Sequence, residues 1–339
     1  MPFKLARRLA LLLSVALVVC AGAAGSARAA ITVGINTPDA PYPAEFEAFS
    51  QLVGAKPKLV MWYQSWAEPI FYEKQMAWAD STGATPVVTW APQNGAHSMR
   101  LRDIYRYKRY DRYLLRSATL AREYGKPFFV RFGHEMNLPG SAFGPGRGGN
   151  RPRDFGKAWR YVVRLFRRHG ATNVRWVWTP NVDCAGKCPF GKFYPGDSFV
   201  DWVGLDGYNY GAVDRTPWLS LVDVFQHSYR AMRRLTRKPL MIAETASTEH
   251  GGDKAAWIRQ GFAELPQAMP QVRAVLWFNR QKETDWRVNS SATSLAAFRS
   301  VVSSPMYDAQ SPLLGARAFR SYGVRRARHS RRAQPARRG

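Results

Sequence analysis

The sequence predicts an α/β chain folded as a single (β/α)8 barrel of the TIM type. Three observations carry this. Eight short apolar runs rich in β-branched and aromatic residues recur along the chain. Longer segments of helical periodicity separate most of them. The chain of 339 residues is long enough for one barrel of about 250 residues plus extensions. The runs are Ile31–Ile35, Leu59–Tyr63, Thr85–Trp90, Phe128–Phe132, Val174–Trp178, Phe199–Leu205, Leu240–Ala243 and Ala274–Phe278. They are almost continuously apolar rather than alternating, as parallel strands covered on both faces must be. Tyr110–Tyr124, Phe155–His169 and Trp218–Leu235 have the clearest helical spacing, each ending in Gly or a basic cluster. Cys184–Asp197 is rich in Gly and Pro and shows no helix. A doubly wound open sheet is the alternative, and no fixed-period repeat accompanies the alternation.

Residues 1–30 read as an export signal. Lys4, Arg7 and Arg8 precede an apolar Leu9–Val19, too short to span a bilayer as a helix, and Ala27-Arg28-Ala29 is a small-x-small cleavage site. An uncleaved anchor, or a lipoprotein with Cys20 lipidated, is the competing reading; a lipobox has a small residue before its Cys, and Val19 is not small. The domain expected to work is 31–306, and 307–339 is expected to be a disordered, Arg-rich tail, with nine arginines and no acid from Arg317 onward. Removal of the signal leaves Cys184 and Cys188, which in an exported chain suggest a short local disulfide; two free thiols are the alternative.

The formal net charge is +26. Four cations in the signal and nine in the tail account for only half of it, so the barrel itself is basic. An exported basic chain meets anionic wall, lipid or matrix polymer; a nucleic-acid partner is not expected, and the protein is expected to act as a monomer. Aromatics make up 13% of the chain, with 12 Trp, which suits a large core or a sugar-stacking cleft.

Barrel enzymes place their working groups just after the strands. The fourth run exits into Arg131-Phe132-Gly133-His134-Glu135-Met136-Asn137 and the seventh into Glu244-Thr245-Ala246-Ser247. The fifth, sixth and eighth exit into Thr179-Pro180-Asn181, Asp206-Gly207-Tyr208 and Phe278-Asn279-Arg280. Two carboxylates on non-adjacent strands can face each other across the mouth, the arrangement that glycoside hydrolysis needs. The bland alternative is structural ion pairing, for example of Glu135 with Arg131. Gly144, Gly146 and Gly149 satisfy G-x-G-x-x-G but do not form a tight strand-to-helix turn, so a mobile loop is expected there and no dinucleotide site. No dense metal-ligand run occurs, and neither a metal nor a cofactor is expected.

The Arg131–Asn137 run resembles the acid/base motif of glycoside hydrolase family 26. Ala158-Trp159-Arg160, Val177-Trp178-Thr179-Pro180-Asn181, Val203-Gly204-Leu205-Asp206-Gly207-Tyr208 and Asp285-Trp286-Arg287 extend the resemblance over nearly the whole barrel. The resemblance implies a retaining, endo-acting hydrolase of β-linked polysaccharide, β-1,4-mannan first, with β-1,3-1,4-glucan and β-1,3-xylan as alternatives; a non-catalytic carbohydrate-binding barrel is a further one. It implies Glu135 as acid/base and Glu244 as nucleophile. His134 would touch the sugar or orient the carboxylates, Tyr208 would hydrogen-bond the nucleophile, and Trp178 or Trp277 would floor the reacting subsite. Arg131, Asn137, Trp66 and Asn279 complete the expected substrate-binding set. The sequence departs from the family at Leu138-Pro139-Gly140-Ser141, where Gly and Trp are frequent, and at Ala91, where Glu is frequent; both departures bear on substrate choice.

Overall fold

A computed structural model describes residues 30–37, 42–67, 73–93, 99–183 and 186–313. The expected signal, the Arg-rich stretch from Arg317 and Cys184 lie outside the described residues. Eight parallel strands close into a barrel in sequence order: β1 Thr32–Asn36, β2 Leu59–Ser65, β3 Thr85–Ala91, β4 Phe128–Phe132, β5 Val174–Trp178, β6 Trp202–Asp206, β7 Leu240–Thr245 and β8 Val272–Phe278. The helices are α1 Pro43–Val53, α2 Glu73–Ser81, α3 Leu101–Tyr105, α4 Asp111–Tyr124, α5 Pro152–Arg168, α6 Leu221–Leu235, α7 Lys254–Ala268 and α8 Ala292–Val302. The (β/α)8 fold is therefore the one the alternation implies. Two helices fill the β3–β4 connection, and only 3-10 turns at Gly191–Phe193 and Asp197–Phe199 fill β5–β6, where Gly and Pro break the helical pattern.

The strands read as uniformly apolar because each is buried on both faces by different partners. Leu59, Met61, Val87, Phe129, Val177, Met241, Ala243, Ala274 and Leu276 form the barrel interior. The residues between them, such as Val60, Val88, Val130, Trp178, Ile242 and Trp277, belong to the larger layer under the helices. Successive side chains in a strand point to opposite faces, so the two clusters interleave along the same runs. Gly204 is required for that interior: a Cβ there would stand 2.5 Å from Thr179 Oγ1. The observed β6 begins later than the apolar run beginning at Phe199, because Phe199 ends a 3-10 turn and receives the Trp159 Nε1 hydrogen bond on its carbonyl at 2.8 Å.

The chain remains on the barrel past residue 306. Ile31 N donates to Met306 O at 2.8 Å, Thr32 Oγ1 to Gln310 O at 2.9 Å, and Thr85 Oγ1 to Ser311 Oγ at 2.6 Å. Tyr307 is buried with its hydroxyl on Phe262 O, and Leu313 packs against the interior cluster. Residues 306–313 thus plug the N-terminal end of the barrel, and the fold reaches beyond the boundary expected at 306. The apolar strand starts need a cover, and this polar-looking segment supplies one through backbone and hydroxyl hydrogen bonds.

Candidate active site

Arg131 is the hub of the opposite end of the barrel. It is the inward residue of β4 after Phe129, and it is fully buried. Its guanidinium donates to Glu244 Oε1 at 2.8 Å, to Thr89 Oγ1 at 3.0 Å and to Asp206 Oδ2. Burial alone would lower its pKa, but the Asp206 and Glu244 carboxylates outweigh that and keep it cationic. Its partners are these two acids from β6 and β7, and the alternative pairing with Glu135 does not form.

Glu244 faces the hub because β7 is irregular. Met241 and Ala243 point into the barrel, so strict alternation would turn Glu244 outward. The ladder register shifts on both sides of this stretch, against Leu205/Asp206 of β6 and between Ile242 and Thr245 against β8. Such a bulge re-aims one side chain, here a carboxylate. Glu244 is buried, and Tyr208 donates to its Oε2 at 2.5 Å. Burial pushes its carboxyl upward, but the Arg131 charge, with bonds from Tyr208 and Tyr63, brings it below the usual range. It is an anion at neutral pH.

Glu135 sits three residues beyond β4 with a left-handed backbone, φ 52°. A non-glycine residue there is strained, and such strain concentrates at functional positions. The kink begins at Gly133, φ 59°, where a Cβ would meet the Phe155 ring at 2.8 Å. The Glu135 amide donates to Thr179 O at 2.8 Å, and Asn181 Nδ2 donates to its Oε1 at 2.6 Å. Burial and then the nearby Glu244 charge raise its pKa from 4.5 to about 7. Two carboxyls a few ångströms apart are therefore pushed in opposite directions, the pattern of an acid beside an anion. Oxygens of Glu135, Asp206 and Glu244 lie within 4.8 Å of one another. The nearest oxygens of the two glutamates thus approach closely across the mouth of the barrel. The three carboxylates would also suit a cation by geometry, but Arg131 already donates to two of them and supplies the compensating charge.

A stability measurement reports the Glu135 environment. Its folded pKa lies above its unfolded one, so its contribution is full below pH 4.5 and is lost as pH rises through about 7. Glu135→Gln is expected to be more stable than the wild type by roughly 1–3 kcal/mol at pH 8, discounted for partial exposure, and nearly equal at pH 4. Denaturant melts at the two pH values check this; the same difference at both would exclude a proton-linked cost.

His134 sits beside Glu135, its ring 5.6 Å from Tyr63 and 6.3 Å from Phe143. Burial, helped by Arg131, lowers its pKa to about 4, so it is a neutral imidazole, and its Nδ1 has no partner.

The structure brings Arg131, His134, Glu135, Tyr208 and Glu244 together and places the other expected substrate-binding residues elsewhere. Trp178 and Trp277 are both fully buried under the helices, Trp178 against Phe190 and Tyr194, Trp277 against Trp257 and Phe298. Neither faces the cleft, because period-2 alternation gives the inward positions to Val177 and Phe278. Trp66 is buried in a cluster with Trp90, Tyr113 and Phe132. Asn137 is a brace: its Nδ2 donates to Asn181 O and Cys188 O, and its Oδ1 accepts from Asn181 N. Asn279 likewise ties its loop by accepting from Val288 N at 2.8 Å. Three site residues carried no role in the sequence reading: Tyr63, Asn181 and Asp206. Tyr63 hydrogen-bonds Glu244 and lies 5.4 Å beneath the Arg280 guanidinium. Tyr63 follows Leu59 and Met61 at period 2, a signal that could have located it. The G-x-G-x-x-G segment is exposed over residues 145–149 and anchored at its end by Asn150, which accepts from Leu101 N and donates to Met99 O and Phe143 O. Cys188 is disulfide-bonded, while Cys184 lies outside the described residues.

Comparison with known proteins places this geometry. A family model described as Glycosyl hydrolase family 26 matches residues 104–263. The chain is 33% identical over 284 residues to Endoglucanase H of Acetivibrio thermocellus, covering 82% of this chain and 31% of that protein. It is 28% identical over 172 residues to Beta-1,3-xylanase TXYA of a Vibrio species, covering 49% of this chain and 30% of that protein. The chain thus spans about a third of the length of these curated relatives. Among solved structures it superposes on a modular endo-β-1,4-mannanase of Cellulomonas fimi with TM-score 0.62 at 18% identity, covering 82% of this chain and 71% of that one. A β-mannanase of Bacteroides ovatus gives TM-score 0.62 at 16% identity, covering 83% and 90%. These two likenesses concern the fold.

Proposed function

The chain belongs to glycoside hydrolase family 26, and on that premise we propose that it is an endo-acting, retaining hydrolase of β-linked polysaccharide. The observation that carries the reading is the pair Glu135 and Glu244, with oxygens within 4.8 Å and pKa values pushed apart. Glu244, anionic and aimed by Arg131 and Tyr208, attacks the anomeric carbon. Glu135, still protonated near neutral pH, gives its proton to the departing glycosidic oxygen. The resulting glycosyl ester on Glu244 is then hydrolysed by a water from which Glu135 removes a proton. Asn181 holds Glu135 in place for both steps. Neutral His134, with one unpartnered ring nitrogen at the same rim, offers a hydrogen bond to a sugar hydroxyl.

The pH dependence follows. On the alkaline side kcat/KM should fall through about pH 7, where Glu135 loses its proton. On the acid side it should hold until below the ordinary carboxylate range, because Glu244 is protonated late. An alkaline limb that is unchanged in Glu135→Ala would remove Glu135 from the acid role.

For the polymer, β-1,4-mannan is the first reading from the sequence resemblance. A β-glucan is the second, favoured by the 33% identity to a protein named an endoglucanase. The test is reducing-end release from mannan, galactomannan, lichenan and xylan. Release from none of them would overturn the hydrolase reading and leave a carbohydrate-binding barrel. Export through residues 1–30 belongs to the same proposal, since such polymers are too large to enter a cell. Reversible retention by the Arg-rich tail also belongs to it: truncation after Gly315 should weaken binding to anionic surfaces at low salt and spare turnover.

A further inference from the structure

One flank of the barrel carries a continuous basic face that the active site does not use. On α5 the buried side is Phe155, Ala158, Trp159, Val162, Val163 and Phe166. The opposite side is Arg153, Lys157, Arg160, Arg164, Arg167 and Arg168, five of the six exposed and Arg160 half-exposed; Arg160 and Arg167 each donate to a carbonyl of the β5–β6 connection, and Arg164 lies 4.9 Å over Phe199, while their remaining N–H groups face outward. Their spacing of three and four residues stacks them on one stripe, about one charge per 5.4 Å turn and roughly 22 Å long. Among the described residues, Asp103 pairs with Arg109 at 3.5 Å and with Arg100 at 3.3 Å, and the acids nearest the α5 stripe are engaged elsewhere. Asp154 is buried, caps its own helix at Arg151 N and lies 3.6 Å from Arg102, and Asp111 accepts from the Tyr161 hydroxyl at 2.5 Å. The α3–α4 connection widens the face. Lys157 Nζ stands 5.6 Å over the Tyr105 ring, which joins the α5 stripe to the end of α3. Just beyond, Tyr107 is 54% exposed, with the Arg106 and Arg109 guanidinium carbons 5.7 and 5.6 Å from its ring centroid.

We propose that this face, formed by the outer side of α5 and the Arg106–Arg109 link, is a docking surface for a linear polysaccharide that carries carboxylate groups on its sugars. A row of guanidiniums spaced along a straight helix fits regularly spaced anions on an extended chain. Arg pairs with carboxylates in a planar fork, which a point-charge Lys cannot do. The exposed Tyr107 ring between two arginines decides the class of anion: a flat apolar face beside a carboxylate acceptor is what a uronate ring presents, whereas inorganic polyphosphate and the outside of a DNA duplex offer no such face. Because a helix in this fold runs from the mouth of the barrel toward its base, Arg153 lies near the rim and Arg168 near the base. A chain held along the stripe would therefore keep the open mouth close to surrounding neutral polymer.

The test uses the full chain throughout, so that the tail contributes equally in every arm. Binding to polygalacturonate is measured by affinity electrophoresis at low and high salt, with dextran sulfate, polyphosphate and duplex DNA as comparison polymers. R153Q/K157Q/R164Q/R168Q should weaken polygalacturonate binding by at least about tenfold at low salt and flatten its salt dependence. The control R230Q/R234Q/R237Q/R259Q removes the same charge from exposed positions on α6, α7 and their surroundings and should weaken it far less. Tyr107→Ala should weaken it severalfold at unchanged net charge. Turnover on a neutral soluble polysaccharide should be unchanged in all three. Equal losses in the two quadruple variants would reduce the effect to net charge and overturn a defined surface. Binding of polyphosphate or DNA as tightly as polygalacturonate, or no loss in Tyr107→Ala, would overturn the uronate as ligand.

Discussion

Glu244→Ala is expected to abolish turnover on every substrate, by at least about 10⁴-fold, because no other group is placed to form the glycosyl ester. Glu135→Ala is expected to behave differently. Loss of acid help costs about 10²–10⁴-fold on a natural polymer, whose leaving group is a sugar hydroxyl. On an aryl glycoside whose leaving group departs without a proton, the first step should be nearly unimpaired, and the ester on Glu244 should accumulate for want of the base. A burst of released phenol followed by slow turnover is the signature to measure. If both variants release sugar from polymer near the wild-type rate, the two carboxylates are not the catalytic pair. The contrast between the variants is the sharper result, because it separates the two roles and is not produced by simple misfolding.

Arg131→Met is expected to cost both stability and chemistry. Arg131 is fully buried between two carboxylates, with hydrogen bonds to Asp206 and Glu244. Removing it leaves two acids in the barrel interior without their counter-charge, a loss of about 3–5 kcal/mol. For a chain of this size that corresponds to a fall in Tm of roughly 10 °C. Both carboxyls would then be pushed up toward the protonated form, as burial already pushes Asp206 against the opposing Arg131 charge. Glu244 would lose the interaction that keeps it anionic, so the acid limb of kcat/KM should move upward in pH. Arg131→Lys keeps the charge but not the fork, and should fall between the two in both measurements. A Tm unchanged in Arg131→Met would mean that solvent reaches these carboxylates, contrary to their burial.

The fold class and the convergence of Glu135 and Glu244 at the C-terminal end of the strands were legible along the chain. Strand and helix periods are local properties, and strand ends of a barrel converge on one face whatever the loops do. Membership of a family added roles for Tyr208 and His134 that spacing alone does not carry. What lay beyond the sequence was which way each side chain points and what it meets. Trp178 and Trp277 occupy strand ends as Glu244 does, yet they enter the layer under the helices. Glu244 turns inward only because β7 slips its register against both neighbours. A single residue of phase separates a core tryptophan from an inward-facing carboxylate, and sequence composition is the same on both sides of that choice.

Asn137 and Asn279 show the same division at shorter range. Both lie in exits that hold the chemistry, and both are spent on backbone groups of neighbouring loops, since a loop at a barrel mouth must satisfy its own polar atoms before it can hold a substrate. Asp206 and Tyr63, on β6 and β2, meet Arg131 and Glu244 instead, and Asn181, just beyond β5, reaches Glu135. The sequence alone determined that the chain forms a (β/α)8 barrel and that Glu135 and Glu244 stand at its working end. Only the tertiary structure decided that Arg131 serves Glu244 and Asp206 rather than Glu135. That choice, with the separation of the two acids' pKa values, arises from distances and burial between residues far apart in the chain, and both act through a low-dielectric interior that exists only once the barrel has closed.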